Sequence, residues 1–312
     1  MRSLKDSLML FFKGLGMGSA DVVPGVSGGT IAFITGIYDE LLDSIKSIDG
    51  EALRLLIKGN FIGLWRYVNG SFLLPLFIGI GASIFTFANF IEHWLEEYPI
   101  SVWSFFFGLI IVSAYLVWKN LKKKTSGVFV ALILGIIVAY LITTFTPATT
   151  PETYWYVFLS GCIAICAMIL PGISGSFILL ILGKYIFIME SVKSLKLDII
   201  AVFALGCIVG ITSFSRLVSW CLDKFHDITV GVLAGFMIGS LNKVWPWKRV
   251  EDFMMNAKGE KVVLKESNLS PATYAEEIGD PHLLYAIGFM IIAIVFVLGL
   301  ERLAIYLNKE EE

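Results

Sequence analysis

The chain has 312 residues, of which 57% are hydrophobic and 16% are charged, and its mean hydropathy is +0.80. Soluble domains carry about 25% charged residues, so this composition excludes an ordinary soluble domain and indicates a protein of the membrane bilayer. The net charge of -2 lacks the basic excess with which proteins follow a phosphate backbone, which argues against nucleic acid as a partner.

Cysteine and histidine residues show no metal-binding pattern. The three histidines are scattered, and the four cysteines lie in apolar segments without the spacing of zinc ligands or of a disulfide framework. These cysteines are Cys162, Cys166, Cys207 and Cys221. The sequence therefore predicts neither a metal site nor another cofactor.

Uncharged stretches define the predicted elements, because a helix needs ~20 mostly apolar residues to cross a hydrocarbon layer of ~30 Å. In chain order, an uncharged stretch at 22–38 is interrupted by proline and glycine and is a poor continuous helix. An amphipathic segment at 43–71 is predicted to lie at the membrane interface. Three predicted spans follow at 72–95, 100–118 and 127–145.

The second half of the chain repeats this order. An uncharged stretch at 153–183 comes first, and three predicted spans follow at 197–220, 228–245 and 282–305. The intervening segment 243–281 holds 13 charged residues in 39, so it is predicted to be one exposed loop.

An internal repeat relates the two halves. The motif Pro24-Gly25-Val26-Ser27-Gly28-Gly29-Thr30 recurs 147 residues later as Pro171-Gly172-Ile173-Ser174-Gly175-Ser176-Phe177. The register holds without gaps from Pro24 to Ile48, and 11 of these 25 positions are identical. We expect one integral membrane domain over 1–312, with a first repeat at about 1–146 and a second at about 153–312.

The number of spans between the motif copies predicts their orientation. Three spans are an odd number, so the second copy would be inverted in the membrane relative to the first. The predicted fold is thus an all-α polytopic membrane protein with two inverted-topology repeats. Each repeat is a Pro/Gly-broken, re-entrant helical hairpin followed by three transmembrane helices, an arrangement typical of secondary transporters with a site near the bilayer midplane.

Lysine and arginine in short loops orient the chain. Lys119, Lys122, Lys123 and Lys124 mark one cytoplasmic loop, whereas 92–99 and 146–153 contain no lysine or arginine. Both termini are therefore predicted to be cytoplasmic. By parity the segment 243–281 lies outside, although it carries six lysines and arginines. We follow parity here, because this segment also has seven acidic residues and longer loops obey the charge rule less well.

Each motif predicts the exposed start of a half-helix inside the membrane. Pro-Gly ends one helix, and the following serine suits an N-cap, so the first N–H groups of the next helix lack intrahelical partners. Such groups carry the positive end of the helix dipole and bind anions, while glycine lets the ligand approach the backbone. Kinks with small-residue packing are the alternative, but two matched copies favour an anion site. The predicted phosphate-binding residues are Ser27, Gly28, Gly29, Thr30, Ser174, Gly175 and Ser176.

Charged residues within the apolar regions are further candidates. Arg216 lies four residues before the end of its predicted span, where it either extends to the interface or binds phosphate. Asp21 corresponds to Met168 in the second copy, and it either caps the turn or titrates and couples transport to protons. Lys13 and Lys184 flank the two hairpins and either bind the same anion or anchor the hairpins at the headgroups.

The segment from Met17 to Tyr38 resembles the PopT family of bacterial polyprenyl-phosphate translocases, and Leu170 to Ser176 is similar to the second motif of that family. The resemblance covers essentially the whole chain. It implies that the partner is a polyprenyl phosphate lipid, undecaprenyl phosphate, the carrier of cell-wall sugars. It also implies that this lipid is returned from the outer to the inner leaflet of the bacterial plasma membrane for reuse. The residues themselves indicate an anion transporter, and the lipid comes from the resemblance.

Two alternatives stay open at this point. Pro-Gly-x-Ser motifs in an inverted repeat are also similar to the integral-membrane undecaprenyl-diphosphate phosphatases, which place arginine directly after that serine. Gly28 and Gly175 occupy these positions here, so the charge that phosphoryl transfer requires is missing locally and the enzyme is disfavoured. An ion-coupled carrier of a small soluble anion is the second alternative, because the same helix dipoles would serve it.

Overall fold

The computed structural model of the chain describes residues 2–23, 25–119, 121–148, 150–255 and 261–309. Pro24, which opens the first motif, lies outside these residues. Large apolar side chains on the long helices are exposed, for example those of Phe85 and Leu284. Such side chains suit a protein that faces lipid, since the hydrocarbon layer replaces the water that would disfavour them.

Side chains cap several helices of the first half. Ser3 begins the first helix with a capping box to Asp6. Short helices fill the predicted interfacial segment between the first hairpin and the first span, and Asp49 and Asn60 cap two of them through their side chains. The helices of the first half are α1 (Leu4–Val22), α2 (Gly28–Ile34), α3 (Tyr38–Lys46), α4 (Gly50–Ile57), α5 (Phe61–Tyr67), α6 (Gly70–Glu97), α7 (Pro99–Lys119) and α8 (Ser126–Thr144).

The second half repeats the short broken helices and then departs from the first. Its elements are α9 (Tyr154–Ile169), α10 (Gly175–Ile181), α11 (Tyr185–Lys193), α12 (Leu197–Ser240), β1 (Lys248–Met255), β2 (Lys261–Asn268), α13 (Pro271–Glu277) and α14 (Leu283–Lys309). The axes of α10 and α11 are bent by 110°, the geometry of a broken span or a re-entrant loop.

Among the described residues, four helices are long and apolar enough to cross a membrane, namely α6, α7, α8 and α12, and α14 carries a shorter apolar stretch. The chain is therefore a multi-pass membrane protein. Helix α12 contains the predicted span at 197–220 and most of the one at 228–245, and its two helical parts meet at a kink where Phe225 leaves helical geometry (φ -132°, ψ 44°). The kink lies between the two predicted spans, among the charged residues Asp223, Lys224 and Asp227 that separate them in the sequence.

The segment 243–281 is not one exposed loop, and the fold is not purely α-helical. Strands β1 and β2 pair antiparallel, from Lys248 opposite Asn268 to Met255 opposite Lys261, and α13 follows them. The prediction was wrong because it relied on the number of charged residues in the segment alone. Tryptophans flank the charged residues, and the Trp245 and Trp247 indole N–H groups donate to the carbonyl oxygens of Leu269 and Pro281, which fastens both ends of the segment.

The chain forms two compact units, each built from parts of both predicted repeats. Unit 1 comprises Met1–Ile91 and Ala148–Thr229, and unit 2 comprises Glu92–Pro147 and Val230–Glu312. Unit 1 therefore holds both broken hairpins. Unit 2 holds α7, α8, the last part of α12, the strands, α13 and α14.

Within unit 1, glycines bring helices into close parallel contact at matching places of the two halves. A Cβ atom on Gly14 of α1 would collide with the Leu76 carbonyl oxygen of α6. A Cβ on Gly161, the counterpart of Gly14 at the 147-residue offset, would lie 2.5 Å from the Phe203 carbonyl oxygen of α12. Small residues at these positions let the helix backbones touch, as is usual in membrane helix packing.

Within unit 2, α7 runs parallel to α14. Ile100 and Ala286 share a buried cluster at the start of the pair, and Lys119 and Glu301 approach to 3.9 Å at its other end. Trp247 packs on the Ile100 end, so the β-hairpin segment and the lysine-rich segment after α7 lie at opposite ends of one membrane-length helix.

Candidate functional site

The structure brings the two predicted motifs into direct contact within unit 1. The Ser27 hydroxyl donates to the carbonyl oxygens of Met168 and Leu170, at 3.1 and 3.3 Å. In the other direction, the Gly172 backbone N–H donates to the Thr30 hydroxyl at 2.9 Å. Two side chains of the first motif, Ser27 and Thr30, therefore hold the backbone of the turn in the second hairpin.

At the first motif, the chain itself satisfies the start of the half-helix. Ser27 caps α2, since its hydroxyl accepts from the Gly29 N–H at 3.1 Å. The Gly28 N–H donates to the Asp21 carboxylate at 2.7 Å, which is the capping role foreseen for that residue. Ser27 and Thr30 are fully buried. The anion position at this helix start is thus filled by a carboxylate of the same chain.

The second motif has no such carboxylate, because Met168 stands where the first copy has Asp21. Ser174 is the N-cap residue of α10, but among the described residues no side chain hydrogen-bonds this helix start as a cap. The hydroxyl groups of Ser174 and Ser176 instead bond each other at 2.7 Å. The two helix starts are alike in sequence and differ in how they are occupied.

Packing, as well as ligand approach, demands glycine in the motifs. A Cβ on Gly28 would lie 2.5 Å from an Asp21 carboxylate oxygen, and a Cβ on Gly29 would lie 2.7 Å from the Ile169 carbonyl oxygen. At Gly175 the nearest atom, the Ala164 carbonyl oxygen, would be 2.8 Å away. Real Cβ atoms essentially never approach so closely. Bulky replacements at these glycines would therefore disturb the fold as well as any ligand.

The two lysines beside the hairpins hold the ends of the half-helices. The Lys13 ammonium donates to the Thr35 carbonyl oxygen at the end of α2, at 2.9 Å. Leu182 is the counterpart of Thr35 in the second copy, and its carbonyl oxygen accepts from the Thr150 hydroxyl at 2.6 Å. The Lys184 ammonium in turn donates to the Thr150 carbonyl oxygen at 2.7 Å. Cations and donors at helix C-termini are favourable because they meet the negative end of the dipole.

Arg216 does not join the two motifs. Its side chain is exposed on α12 and interacts electrostatically with Asp49 and Tyr67, which belong to the interfacial helices after the first hairpin. The structure thus brings Ser27, Thr30 and Asp21 together with the turn of the second hairpin, while Ser174 and Ser176 bond each other at the start of α10. Arg216 lies in the first part of α12, away from both motifs.

Sequence reasoning missed a polar network beside α3. The Lys46 ammonium donates to the Ser219 hydroxyl at 3.0 Å, and this hydroxyl donates to the Asp43 carboxylate at 3.1 Å. A cavity of about 460 Å³ lies next to it. Its lining residues are Glu40, Asp43, Ser44, Ser47, Tyr67 and Asn69. The available signal was the end of the repeat, where Asp43 to Ser47 faces Glu190 to Ser194 in register.

In the part of the chain that the structure describes, no group of three or more histidine, cysteine, aspartate or glutamate side chains is placed to hold a metal ion. The four cysteines are free thiols in the structure.

Comparisons with known proteins agree with one another. The family described as VCA0040-like, undecaprenyl phosphate translocase-like, matches residues 17–262. A polyprenyl-phosphate transporter of Vibrio cholerae serotype O1 is 48% identical over 298 residues, which cover 95% of this chain and 97% of that protein. A polyprenyl-phosphate transporter of Staphylococcus aureus is 31% identical over 254 residues, which cover 75% of this chain and 84% of that protein. No solved structure matches the chain.

Proposed function

We propose that this chain, which belongs to the VCA0040-like family of undecaprenyl phosphate translocase-like proteins, transports polyprenyl phosphate across the bacterial plasma membrane. The direction is from the outer to the inner leaflet, and undecaprenyl phosphate returns in this way for reuse in cell-wall polymer synthesis. The observation that carries the proposal is the contact between two matched, broken hairpins, in a chain 48% identical to a polyprenyl-phosphate transporter.

The phosphate binds where the two motifs meet. Its charge must leave water and pass a layer of low dielectric constant, where an unpaired charge is very costly. Backbone N–H groups and hydroxyl groups replace water without adding a full charge that would trap the ligand. The residues assigned to this cradle are Ser27, Gly28, Gly29, Thr30, Ser174, Gly175 and Ser176.

Asp21 couples the site to protons. Its carboxylate accepts from the Gly28 N–H, so it occupies the position that a phosphate oxygen would take. Two anions cannot share that donor, because like charges repel strongly at low dielectric. Protonation of Asp21 or its movement away from Gly28 therefore accompanies phosphate binding at the first motif, whereas the second motif accepts phosphate without such a step.

Arg216 acts at the end of the path rather than at the cradle. It lies near Asp49 and Tyr67 on the side of the interfacial helices, so it meets the headgroup as the lipid leaves the motifs. Guanidinium binds phosphate oxygens well in this setting, because it presents several N–H donors in one plane.

We infer that inverted repeats account for the parallel packing of α7 and α14 in unit 2. Consecutive helices α7 and α8 lie in the first repeat, and the last part of α12 and α14 are their counterparts in the second. Because α14 runs parallel to α7, and the consecutive spans α7 and α8 cross the membrane in opposite directions, α14 runs antiparallel to its counterpart α8, as inverted repeats require. The three helices α6, α7 and α8 between the two hairpins support the same orientation through their odd number.

The experiment is a leaflet-resolved transport assay in liposomes that contain only this protein. We expect polyprenyl phosphate added to one leaflet to appear in the other much faster than in protein-free liposomes. Equal rates with and without protein would reject the proposal. A soluble-anion carrier would instead accumulate its ion in vesicles that lack polyprenyl lipids, so inorganic phosphate uptake in such vesicles serves as the comparison.

A further inference from the structure

The helices that follow the two hairpins, α3 and α11, are counterparts with opposite charge. Over 37–49 the first copy carries four carboxylates and one lysine, whereas over 184–196 the second copy carries three lysines and one carboxylate. The charge changes at equivalent positions: Ile37 corresponds to Lys184, Glu40 to Phe187, and Asp49 to Lys196. The two equivalent segments therefore form an acidic surface at 37–49, beside the first hairpin, and a basic surface at 184–196, beside the second. We call them the acidic mouth and the basic mouth.

At the basic mouth, two ammonium groups share one aromatic ring. The Lys184 ammonium lies 5.7 Å and the Lys196 ammonium 6.0 Å from the centroid of Phe187. Lys184 is 1% exposed, and its hydrogen bond to the Thr150 carbonyl oxygen uses one of three N–H donors. Lys196 is exposed. Among the described residues, neither lysine forms an ion pair with a carboxylate.

Two acidic residues lie in the neighbourhood of this pair without neutralising it. Glu152 interacts electrostatically with Lys184, and Asp198 interacts electrostatically with Lys196. Asp198 accepts a hydrogen bond from the Tyr154 hydroxyl at 2.7 Å, so one of its oxygens is already engaged. The mouth therefore keeps unsatisfied N–H donors and a positive charge, both of which favour an anionic ligand.

At the acidic mouth, in contrast, the cations are engaged. Arg2 forms an ion pair with Glu40, and the Lys46 ammonium lies 3.5 Å from the Asp43 carboxylate. The cavity there is lined by these two acids and by neutral polar groups. A phosphate at this mouth would meet carboxylates, which repel it.

One helix connects the two mouths. Helix α12 begins at Leu197, directly after Lys196, and Ser219 near the end of its first part contacts Asp43 and Lys46 of α3. At ~1.5 Å per residue, the 22 residues between these points extend for about 33 Å, close to the thickness of the hydrocarbon layer. The basic and acidic mouths therefore lie near opposite faces of the membrane.

We propose that Lys196 and Lys184, on either side of Phe187, form a capture site for a phosphate monoester at the mouth of the second hairpin. The exposed Lys196 makes the first contact, and Lys184 then exchanges its bond with the Thr150 carbonyl oxygen for a phosphate oxygen. The acidic mouth at the other face favours release. This inference rests on the proposed function. The adjoining segment 146–153 contains no lysine or arginine, which places the capture site at the outer face.

The test compares Lys196→Gln with Lys193→Gln in the full-length protein. Lys193 is an exposed lysine of the same helix that makes no ring contact in the described structure, so it controls for the loss of one surface charge. At low polyprenyl phosphate in the outer leaflet, we expect Lys196→Gln to lower the initial transport rate about tenfold, equivalent to ~1.4 kcal/mol. Saturating lipid should restore the rate, and Lys193→Gln should change it less than twofold. Equal effects of the two substitutions would overturn the capture site.

A binding measurement separates failure of the site from failure of the proposed function. Polyprenyl phosphate and inorganic phosphate are each titrated onto the detergent-solubilised protein. Weaker lipid binding by Lys196→Gln, with no transport by the unmodified protein, would keep the site and reject the function. Transport by the unmodified protein with unchanged binding in Lys196→Gln would do the reverse. Equal binding of inorganic phosphate and of polyprenyl phosphate would identify the ligand as free phosphate, whereas binding of the lipid alone supports a lipid headgroup.

Lys184→Met extends the test to the buried lysine. Because Lys184 holds Thr150 beside the end of α10, thermal stability is measured first. A folded Lys184→Met protein with weaker lipid binding supports the pair, and a folded protein with unchanged binding restricts the site to Lys196 and contradicts the shared role.

Discussion

The Asp21 carboxylate accepts a hydrogen bond from the Gly28 backbone N–H at 2.7 Å, so an acidic side chain closes the turn at the first motif. In the second copy Met168 takes the place of Asp21, and that helix start has no side-chain cap within the described residues. Two half-helices of equal length and similar sequence thus differ by one negative charge. This difference is what makes Asp21, rather than a glycine, the most informative position of the first motif.

Replacing Asp21 with asparagine keeps a side-chain oxygen for the Gly28 N–H and removes the charge. We expect Asp21→Asn to bind polyprenyl phosphate at least as tightly as the unmodified protein does, and to lose the response of transport to an imposed pH gradient. The measurement is the transport rate in liposomes with and without that gradient. Asp21→Ala is the paired variant, because it also removes the cap and should destabilise the protein by about 0.5–2 kcal/mol. A gradient response that survives in a folded Asp21→Asn protein would contradict proton coupling through this group.

The two motif serines should separate stability from transport. Ser27→Ala removes the bonds to the Met168 and Leu170 carbonyl oxygens and the cap of α2, so we expect a lower unfolding temperature and a loss of about 1–3 kcal/mol. Ser174 bonds Ser176 instead, so Ser174→Ala should unfold near the unmodified temperature and yet transport slowly. Ser113→Ala is the control, because that buried hydroxyl bonds a carbonyl oxygen of its own helix. A stable Ser174→Ala protein with full transport would remove Ser174 from the cradle.

The sidedness of unit 2 can be read by labelling single cysteines after the four native cysteines are replaced. The lysine-rich segment after α7 and the β-hairpin segment lie at opposite ends of α7, so Lys123→Cys and Glu276→Cys should be labelled from opposite sides. We expect the Lys123→Cys site to be cytoplasmic and the Glu276→Cys site to be external. Labelling of both sites from one side would exclude the inverted arrangement.

Much of this architecture could be predicted from hydropathy and the repeat. The spans at 72–95, 100–118 and 127–145 correspond closely to α6, α7 and α8, because long uncharged stretches have few alternatives in a bilayer. The contact between the two motifs also agrees with the sequence, since Ser27 and Thr30 of the first motif each bond the second hairpin.

What the sequence could not supply depends on contacts distant along the chain. The sequence indicates either a cap or a proton-coupling group at Asp21, and only the structure shows that its carboxylate accepts from the Gly28 N–H. A glycine in a motif indicates that a ligand or another part of the chain approaches the backbone closely. Only the structure shows that the Ile169 carbonyl oxygen is the group that approaches Gly29. The β-hairpin escaped prediction because a count of charged residues does not reveal its anchors, the Trp245 and Trp247 indole N–H groups that bond carbonyl oxygens further along the chain.

Lys248 gives the β-hairpin segment a pH dependence of known sign. The Lys248 ammonium lies 3.7 Å from the centroid of the Trp103 ring, and it lies 3.3 Å from the Glu266 carboxylate. Burial lowers the pKa of Lys248 to about 8. The unfolded chain holds this proton up to about pH 10.5. Between those values the unfolded state binds more protons, so the contribution of Lys248 to stability rises with pH, by at most about 1.4 kcal/mol per pH unit.

Lys248→Met tests this dependence. The variant should lack the component of stability that rises between about pH 8 and pH 10.5 in the unmodified protein. The measurement is the unfolding temperature of the purified protein across this range. Lys265→Met is the control, because Lys265 pairs with Glu251 on a more exposed part of the hairpin. Parallel pH profiles for the unmodified protein and Lys248→Met would show that burial does not shift this pKa.

The residues after the motif serines predict that the protein does not hydrolyse lipid diphosphates. Phosphoryl transfer needs arginine, lysine or a metal ion next to the transferred group to stabilise the charge of the transition state. Gly28 and Gly175 follow Ser27 and Ser174, Lys13 donates to the Thr35 carbonyl oxygen at the far end of α2, and Lys184 donates to the Thr150 carbonyl oxygen.

We therefore expect phosphate release from undecaprenyl diphosphate to stay at the background rate with purified protein, with or without added divalent cations. Gly175→Arg is an informative second variant, because it restores the arginine of the phosphatase pattern in a position where a Cβ would already lie 2.8 Å from the Ala164 carbonyl oxygen. It should misfold rather than gain activity, which a stability measurement will reveal. Phosphate release above background that disappears in Ser174→Ala would show instead that the second motif carries a nucleophile, and the chain would have to be assigned an enzymatic activity.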